Sequence, residues 1–411
     1  MVFDRAYSTA PWTYASFTSI HSGLTPWAHG VKRLDDRIPP RASILATTVR
    51  DHGYNTAAIG SNGILTTTGV AGELTRAFND PLFFPRDPMP QTRSYSFLQA
   101  LNPNILGSEP STRQLGEYGS EWVRNHKSAP FLLWLHIFDP HDPYDWVEGF
   151  PPAYEPPRRL ARLDGQALRA VLREGLRVPG LSEWARARYQ SEVQEVDRVI
   201  GVFLQSLKDE GIYDRALIIF TSDHGEEFVE HNNFHHGKSL YNELVRVPLL
   251  VKPPGSRTGL RVSQPVSTVA IAPTILDLVG IPYDKEIFSA ESLRGTWQVR
   301  SAADESKPSP PVFMTGVLRP EPAEAVVWEN YKFIRWENID HEELYEFESD
   351  PNELYNLAAQ LPDQVEVGRA LLADHASKEA KRAAARGFGP PSQEPLTPAE
   401  ERILRGLGYL Q

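Results

Sequence analysis

Short apolar runs bounded by turn residues recur along the chain. The clearest cover residues 131–135, 216–220 and 247–251, and continuous runs of this length are typical of strands buried on both faces of a sheet. Between them, apolar residues recur at alternating steps of four and three, which predicts a helix with one apolar stripe. The members of this stripe are Tyr189, Val193, Val196, Ile200, Phe203 and Leu207. Strands that alternate with helices predict an α/β sandwich around a mostly parallel sheet.

A different pattern follows the polar, proline-rich residues 301–311, which we interpret as a linker or surface loop. Beyond it, three closely spaced apolar runs at residues 325–328, 332–336 and 344–347 predict an antiparallel meander. Near the end, Thr397-Pro398-Ala399-Glu400 offers an N-cap, a proline at the first helical position and a capping-box glutamate. A last helix is therefore predicted to begin there.

These patterns divide the chain into a large domain (1–300), a linker (301–311) and a small C-terminal α+β subdomain (312–411). The large domain contains an insertion, residues 145–180, that is rich in proline and arginine. Two readings of the insertion stay open, a solvated helical excursion and a lid that faces the substrate.

The composition narrows the function. The chain has 411 residues and a formal net charge of -11, which argues against a general nucleic-acid partner, because phosphate backbones are held by clustered Lys and Arg. It has no cysteine, so disulfides, thiolate metal sites and cysteine nucleophiles are excluded. No apolar run reaches the ~18 residues of a membrane-spanning helix, and Met1–Arg5 lacks the pattern of a signal peptide. From these residues we expect a soluble chain without a targeting signal.

The strongest candidate site follows the strand that ends at Phe220. Asp223 and His224 come directly after it, at the carboxyl edge where open α/β sheets place ligand sites. A carboxylate beside an imidazole suits a divalent cation. A loop with two polar residues is the alternative, but Gly225-Glu226 and three nearby histidines favour a site.

Two further segments supply candidate donors. His236 and Lys238 lie close enough in sequence to fold back over Asp223, and sulfuryl or phosphoryl transfer needs such donors for the charge on non-bridging oxygens. His141, in a loop fixed by Pro140 and Pro143, follows another predicted strand, which suggests substrate binding or general acid work. The alternative is a histidine that only satisfies a turn.

Hydroxyl groups dominate the segment from Thr13 to Ser19. At the N-terminus of a helix, a hydroxyl can face an anionic substrate that the helix dipole stabilises. The competing interpretation is that Thr13 or Ser16 only caps the helix.

In this order, the segments resemble the sulfatase family of the alkaline phosphatase superfamily over almost the whole chain. The resemblance rests on the motifs already described and on several more, which are Gly53-Tyr54-Asn55-Thr56-Ala57, Ser239-Leu240-Tyr241, Arg246-Val247-Pro248, Ala272-Pro273-Thr274 and Asp350-Pro351. It implies an alkaline phosphatase-like three-layer sandwich and places a sulfatase-like catalytic domain in residues 1–300.

The resemblance also assigns roles. The family pattern C-x-P-S-R-x-x-x-x-T-G puts Thr13 at the nucleophile position, where threonine cannot mature to formylglycine and must attack directly. Asp223 and His224, with the Thr13 hydroxyl, are the expected ligands of a divalent metal (calcium, zinc, magnesium or manganese). His141 and His236 are expected in catalysis, and Lys238 with Asn62 in substrate binding.

Three departures from the family keep alternatives open. Ala15 and Phe17 replace its proline and arginine, and Ser61-Asn62-Gly63 stands where a Lys-and-His pair is usual. The hydroxyl nucleophile is also similar to that of phosphoethanolamine transferases. Finally, the opening residues offer little that could form a first strand, so the sheet is expected to lack a strand and the metal site part of its carboxylates; Asp4 is not assigned as a ligand.

The leading hypothesis is therefore a metal-dependent hydrolase of sulfate or phosphate esters that uses Thr13 as nucleophile on an anionic substrate. A phosphodiesterase or phosphoethanolamine-type transferase is one alternative, and a catalytically silent protein of the same fold is another. The sequence leaves the oligomeric state and compartment open, a periplasmic or membrane-anchored location included.

Overall fold

The structure is a computed structural model that describes residues 1–39, 42, 44–66, 71–84, 111–142, 144, 147, 179–297, 309–319, 321–389, 393–407 and 409. Most of the predicted insertion and the start of the predicted linker therefore lie outside the described residues. The helices and strands are, in chain order, β1 (Val2–Tyr7), α1 (Thr13–Ser22), α2 (Pro26–His29), α3 (Ile44–Asp51), β2 (Asn55–Ser61), α4 (Gly72–Thr75), β3 (Asp80–Phe84), α5 (Thr112–His126), β4 (Phe131–His136), α6 (Leu181–Asp209), β5 (Ile218–Thr221), β6 (Glu227–Phe228), β7 (Phe234–His235), α7 (Asn242–Val245), β8 (Arg246–Lys252), β9 (Arg261–Val262), β10 (Val266–Ser267), α8 (Ile271–Val279), α9 (Arg294–Trp297), β11 (Val312–Thr315), β12 (Ala323–Trp328), β13 (Tyr331–Trp336), β14 (His341–Glu346), α10 (Pro362–Ala385) and α11 (Pro398–Gly406).

The described chain forms two compact units. The first contains Met1–His52, Arg215–Glu226 and His236–Pro395, and the second contains Gly53–Asp214, Glu227–His235 and Leu396–Gln411. The predicted domain limits stay a prediction. Among the described helices, none is both long enough and apolar enough to cross a bilayer.

The first unit is built on a five-stranded sheet with the order β10-β1-β8-β5, and β9 also pairs with β1. β8 runs antiparallel to both β1 and β5, whereas β9 and β10 are parallel to β1. Side chains along β8 alternate between exposed and buried, so this strand has one face on the core, whereas its continuous apolar run predicted burial on both faces. This sheet carries the Asp223 turn directly after β5.

The expectation that the opening residues form no strand is wrong, because Val2–Tyr7 is β1. The adjacent charged residues Asp4 and Arg5 interrupt the apolar residues of this segment, so the sequence did not predict a strand there. The structure satisfies both of them, since Asp4 pairs with Arg261 and Arg5 donates to backbone carbonyls. β1 ends at Tyr7 rather than in an acidic residue, which agrees with leaving Asp4 out of the metal site.

The predicted meander is confirmed. Strands β11 to β14 pair in sequence order, and each pair is antiparallel. Its apolar residues form two buried clusters, one of which includes Val365 and Leu372 of α10. This part of the chain belongs to the first compact unit.

The second unit contains a three-stranded parallel sheet with the order β3-β2-β4 and the long helix α6. The predicted helix is confirmed, but its buried face differs from the predicted stripe, because Val193 is exposed while Glu195 is buried. Arg198 and Arg113 form hydrogen bonds with this carboxylate and lower the pKa of Glu195 to about 2.

The last helix also begins as predicted, with the Thr397–Glu400 capping box formed.

A fully buried ion pair gives the first prediction. Lys332 Nζ on β13 lies 2.8 Å from Glu353 Oε1, and neither side chain is exposed. Lys332→Met leaves a buried carboxylate without its countercharge, so the free energy of unfolding should fall by about 3–5 kcal/mol in urea denaturation. Adding Glu353→Gln to this variant removes the charge and should restore much of the loss. Equal stabilities of the single and double variants would contradict this account.

Two buried histidines give a pH prediction. Burial is the main cause that lowers the pKa of His29 and of His375 to about 3. Between pH 6.5 and about 3, the unfolded chain therefore binds more protons, and the free energy of unfolding falls as the pH falls. At pH 5 each histidine should cost about 2 kcal/mol relative to pH 7.

The check is denaturation at pH 7 and pH 5 of the natural chain and of His375→Phe, which keeps the ring that stacks on Phe313. The variant should lose the His375 contribution to the pH dependence. His52→Gln, at an exposed position, is the matched control. An unaltered pH dependence in His375→Phe would show that His375 does not contribute.

Candidate active site

Thr13 is the first residue of α1, and its side chain is 2% exposed. The N-cap of α1 is Trp12, and none of the described side chains caps this helix. Capping therefore does not explain the hydroxyls of Thr13 and Ser16. Thr13 thus lies at a helix N-terminus, whose partial positive charge stabilises a nearby anion.

His224 faces the Thr13 hydroxyl. Its Nε2 atom lies 3.2 Å from Thr13 Oγ1, and its Nδ1 atom lies 2.8 Å from the carbonyl oxygen of Gly225. The carbonyl can only accept, so Nδ1 carries the proton and the Nε2 lone pair accepts from Thr13. Burial is the largest cause that lowers the pKa of His224, which favours the neutral ring.

Asp223 lies beside this pair. One carboxylate oxygen accepts a hydrogen bond from the His224 backbone N–H at 3.1 Å, and the other lies 3.5 Å from His224 Nε2. A carboxylate oxygen, a neutral imidazole nitrogen and a hydroxyl oxygen thus adjoin one another. These donor types fit a divalent cation.

The donor set is nevertheless small. Among the described residues, no group of three or more His, Cys, Asp or Glu side chains is arranged to hold a metal ion. Asp223, His224 and the Thr13 hydroxyl therefore fit a cation in the chemistry of their atoms, but they are fewer than the ligands that a divalent cation usually has.

His236 is held by Glu226. The His236 Nδ1 atom lies 3.1 Å from one carboxylate oxygen of Glu226, and both side chains are 5% exposed. The rings of His236 and His224 have their centroids 4.4 Å apart. Lys238 follows two residues later, half-buried.

Backbone bonds connect the same segments. Gly237 N–H donates to the carbonyl of Pro11 at 2.9 Å, and Ser16 Oγ donates to the carbonyl of Asp223 at 2.6 Å. Gly237 has a φ of +80°, a conformation that glycine adopts without steric cost. The first compact unit thus brings Thr13, Asp223, His224 and His236 together, and their roles stay predictions.

The other two predicted residues belong to the second compact unit. Asn62 caps a short 3₁₀ turn, since its amide oxygen accepts from Ile64 N–H at 3.0 Å. His141 lies 2.8 Å through Nδ1 from the carbonyl of Asp142, and its ring stacks on Phe138. Their participation stays a prediction.

Sequence reasoning counted Glu226 only as a further candidate ligand near Asp223, and it anticipated neither the Glu226 bond to His236 nor the Ser16 bond to Asp223. Glu226 and His236 are 10 residues apart in sequence, so no local pattern indicated the hydrogen bond between them. The Ser16 bond carried no signal, since it joins residues 207 apart in sequence.

Comparison with known proteins decides the family. A sulfatase family model matches residues 1–281, more than half of the chain. The chain belongs to the sulfatase family. This membership places it among the sulfuric ester hydrolases. A model named N-sulphoglucosamine sulphohydrolase, C-terminal, matches residues 229–377 of the same sulfatase.

Several sulfatase relatives carry the same name. The chain is 26% identical to arylsulfatase K of Xenopus laevis over 89% of this chain and 74% of that protein. It is 30% identical to arylsulfatase K of Bos taurus over a shorter region. That region covers 43% of this chain and 34%, about a third, of the Bos taurus protein.

Solved structures show the same alkaline phosphatase-like α/β fold with a C-terminal subdomain. One, solved in complex with its substrate D-glucosamine-2-N,6-O-disulfate, has a TM-score of 0.69 at 18% identity and covers 92% of this chain and 91% of that one. Another, a phosphonate monoester hydrolase of Agrobacterium radiobacter, has a TM-score of 0.65 at 21% identity over 93% and 88% of the two chains.

The turn after Asp223 gives a prediction for this sulfatase. A Cβ atom on Gly225 would lie 2.1 Å from the backbone oxygen of Glu243, and Gly225 N–H donates to the carbonyl of Leu244. Gly225→Ala must therefore displace the turn that carries His224. We expect a loss of about 1–3 kcal/mol in the free energy of unfolding, together with a loss of ester hydrolysis.

The matched control is Gly259→Ala, because no described atom lies within 4 Å of a Cβ added there. Thermal denaturation and turnover should be close to those of the natural chain. If Gly225→Ala matched this control in both thermal denaturation and turnover, the close packing of Gly225 against the Glu243 backbone would not matter for the site.

Proposed function

We propose that this sulfatase-family chain hydrolyses sulfate esters and uses Thr13 as a direct nucleophile. One observation carries the proposal. A buried hydroxyl at the N-terminus of α1 donates to a neutral histidine nitrogen at 3.2 Å. A hydroxyl next to an acceptor that is itself oriented by a third group is the arrangement of an activated nucleophile.

The proposed substrate is a small anionic sulfate ester, and a sulfated sugar is the proposed class. It is supported by the family and by the neighbour that was solved with a sulfated amino sugar. The positive end of the α1 dipole and the Lys238 ammonium would attract its charge. Because the surrounding side chains are buried, these attractions act in a medium of low dielectric constant and are stronger than in water.

Members of the sulfatase family generally bind a divalent metal ion, and we propose that Asp223, His224 and the Thr13 hydroxyl would hold it here. When bound, it would supply Lewis-acid chemistry that lowers the pKa of the hydroxyl. Calcium, zinc, magnesium and manganese are the candidates.

The residues of the chain would act in two steps. First, the Thr13 hydroxyl gives up its proton to a water molecule, and its oxygen attacks the sulfur atom. His224 Nε2, which accepts from this hydroxyl at 3.2 Å, would take the proton only without a bound cation, because its one lone pair would otherwise hold the ion. The bond between sulfur and the leaving oxygen breaks, and His236 protonates that oxygen. Then water attacks the sulfur atom of the threonine sulfate ester, the bond to Thr13 breaks, and the hydroxyl regains its proton.

The hydrogen bond between His236 and Glu226 supports the acid role, because a carboxylate on Nδ1 fixes the ring and stabilises its protonated form. Lys238 is proposed to hold the non-bridging oxygens. His141 and Asn62 remain proposed substrate contacts, and the amide oxygen of Asn62 is engaged with Ile64, so its amide N–H groups are the donors that it would offer.

Phosphate ester hydrolysis, including phosphodiesterase or phosphoethanolamine-type transfer, is the second candidate. The threonine hydroxyl at position 13 favours it, since relatives with a direct hydroxyl nucleophile cleave or transfer phosphate groups. A catalytically silent protein is the third candidate, and the incomplete set of described metal ligands favours it.

The test is turnover of aryl sulfates and aryl phosphate mono- and diesters by the purified chain, loaded in turn with each candidate cation. Aryl sulfate should be the best substrate. Thr13→Ala should lower its turnover by at least roughly 10³-fold, while Thr13→Ser keeps a hydroxyl and should retain part of the activity. Thr18→Ala, at another buried hydroxyl of α1, is the control.

Three outcomes separate the candidates. Preference for a phosphate ester, with the same dependence on Thr13, would support the second candidate instead. A folded, cation-loaded chain that turns over none of these esters would overturn the proposal in favour of the silent protein. Equal activity of Thr13→Ala and the natural chain would remove Thr13 from the mechanism.

A further inference from the structure

A pocket of about 600 Å³ lies within the first compact unit, and the candidate catalytic residues are not among those that line it. Volumes of this size are typical of small-molecule sites. The lining residues that matter are Arg5, Tyr7, Arg246, Phe347, Glu329 and Glu348.

Tyr7 points to a polar ligand. Its side chain is 1% exposed, yet among the described residues no group hydrogen-bonds to its hydroxyl. Because Tyr7 lines the pocket, a ligand bound there can supply the hydrogen-bond partner that the described residues do not. Burial is the main cause that raises the pKa of Tyr7, which keeps the hydroxyl protonated as a donor.

Two arginines give the pocket positive charge. Arg5 donates to the carbonyl oxygens of Ser263 and Glu329 at 2.8 and 3.1 Å, and Arg246 donates to the carbonyl oxygen of Asp4 at 2.8 Å. Within the described part of the chain, neither guanidinium forms an ion pair with a carboxylate. A guanidinium has five N–H donors, so each of these groups keeps donors for a ligand.

The pocket also has an apolar wall and an acidic rim. The rings of Tyr7 and Phe347 have centroids 6.3 Å apart and are tilted by 40°. Glu329 and Glu348 are exposed carboxylates at the edge of the pocket. These carboxylates repel a ligand that carries several negative groups. A ligand with a single negative group can still bind if that group contacts the arginines.

We propose that this pocket binds a small organic anion, in which one carboxylate or similar oxyanion group contacts Tyr7, Arg5 and Arg246 and an apolar or aromatic body packs on Phe347. Arginine forks match oxyanions with two parallel hydrogen bonds, and a phenol hydroxyl adds a third donor. The inference does not rest on the proposed ester hydrolysis, because it uses none of its residues.

The probe is benzoate, which has one carboxylate on an aromatic ring and no ester for the enzyme to cleave. Isothermal titration calorimetry of the full chain should show benzoate binding, and benzamide, the neutral analogue, should bind much more weakly. Tyr7→Phe and Arg246→Gln should each weaken benzoate at least about tenfold, as expected when a hydrogen bond to a charged group is lost. Arg257→Gln, at an exposed arginine outside the pocket lining, is the control.

Two further measurements exclude a merely structural effect. Without ligand, Tyr7→Phe should denature at the same midpoint as the natural chain, because its hydroxyl has no partner to lose. Its turnover of aryl esters should also be unchanged. Absence of benzoate binding to the natural chain, or equal binding by Tyr7→Phe, Arg246→Gln and the control, would overturn the proposal whether or not the chain hydrolyses esters.

Discussion

One half-buried hydrogen bond joins the two sequence segments on which the candidate site depends. The hydroxyl of Ser16, one turn into the helix that begins at Thr13, donates to the backbone carbonyl of Asp223 at 2.6 Å. Ser8 Oγ lies 2.9 Å from the same serine oxygen. Because Thr13 lies on one side of this bond and His224 on the other, the bond fixes the distance between them. A buried carbonyl without a partner costs about 1–3 kcal/mol; the Asp223 carbonyl is half-buried, so its loss of Ser16 costs part of this amount and favours the observed arrangement.

The chemistry follows from that constraint. A hydroxyl held at a helix N-terminus, against a neutral imidazole and inside a buried site, is already in the place where a nucleophile is needed. The same turn supplies the Asp223 carboxylate, and the Glu226 carboxylate that follows it orients His236. A sulfatase that uses threonine has to form and hydrolyse a sulfate ester of its own side chain. The histidine pair places one ring beside the Thr13 hydroxyl and the other against Glu226, with the ring centroids 4.4 Å apart.

The local elements of the fold were largely predictable from the sequence, and the long-range bonds were not. Apolar runs correctly located β4, β5 and β8, and the Thr397–Glu400 cap located the last helix, because these signals lie within a few residues. Val2–Tyr7 was missed as a strand, since its two charged residues are satisfied by distant partners such as Arg261. The sequence motifs named Thr13, Asp223, His224 and His236, yet the role of Glu226 and the Ser16 bond depend on packing that no local pattern encodes.

The central claim is that Thr13 becomes covalently attached to the sulfuryl group during turnover. The most direct measurement is mass spectrometry of peptides from a chain that has been incubated with an aryl sulfate and quenched in acid. The account predicts the added mass of one sulfuryl group on the peptide that contains Thr13, and no such addition in Thr13→Ala. Turnover without any modified peptide, or a modification on another residue, would contradict it.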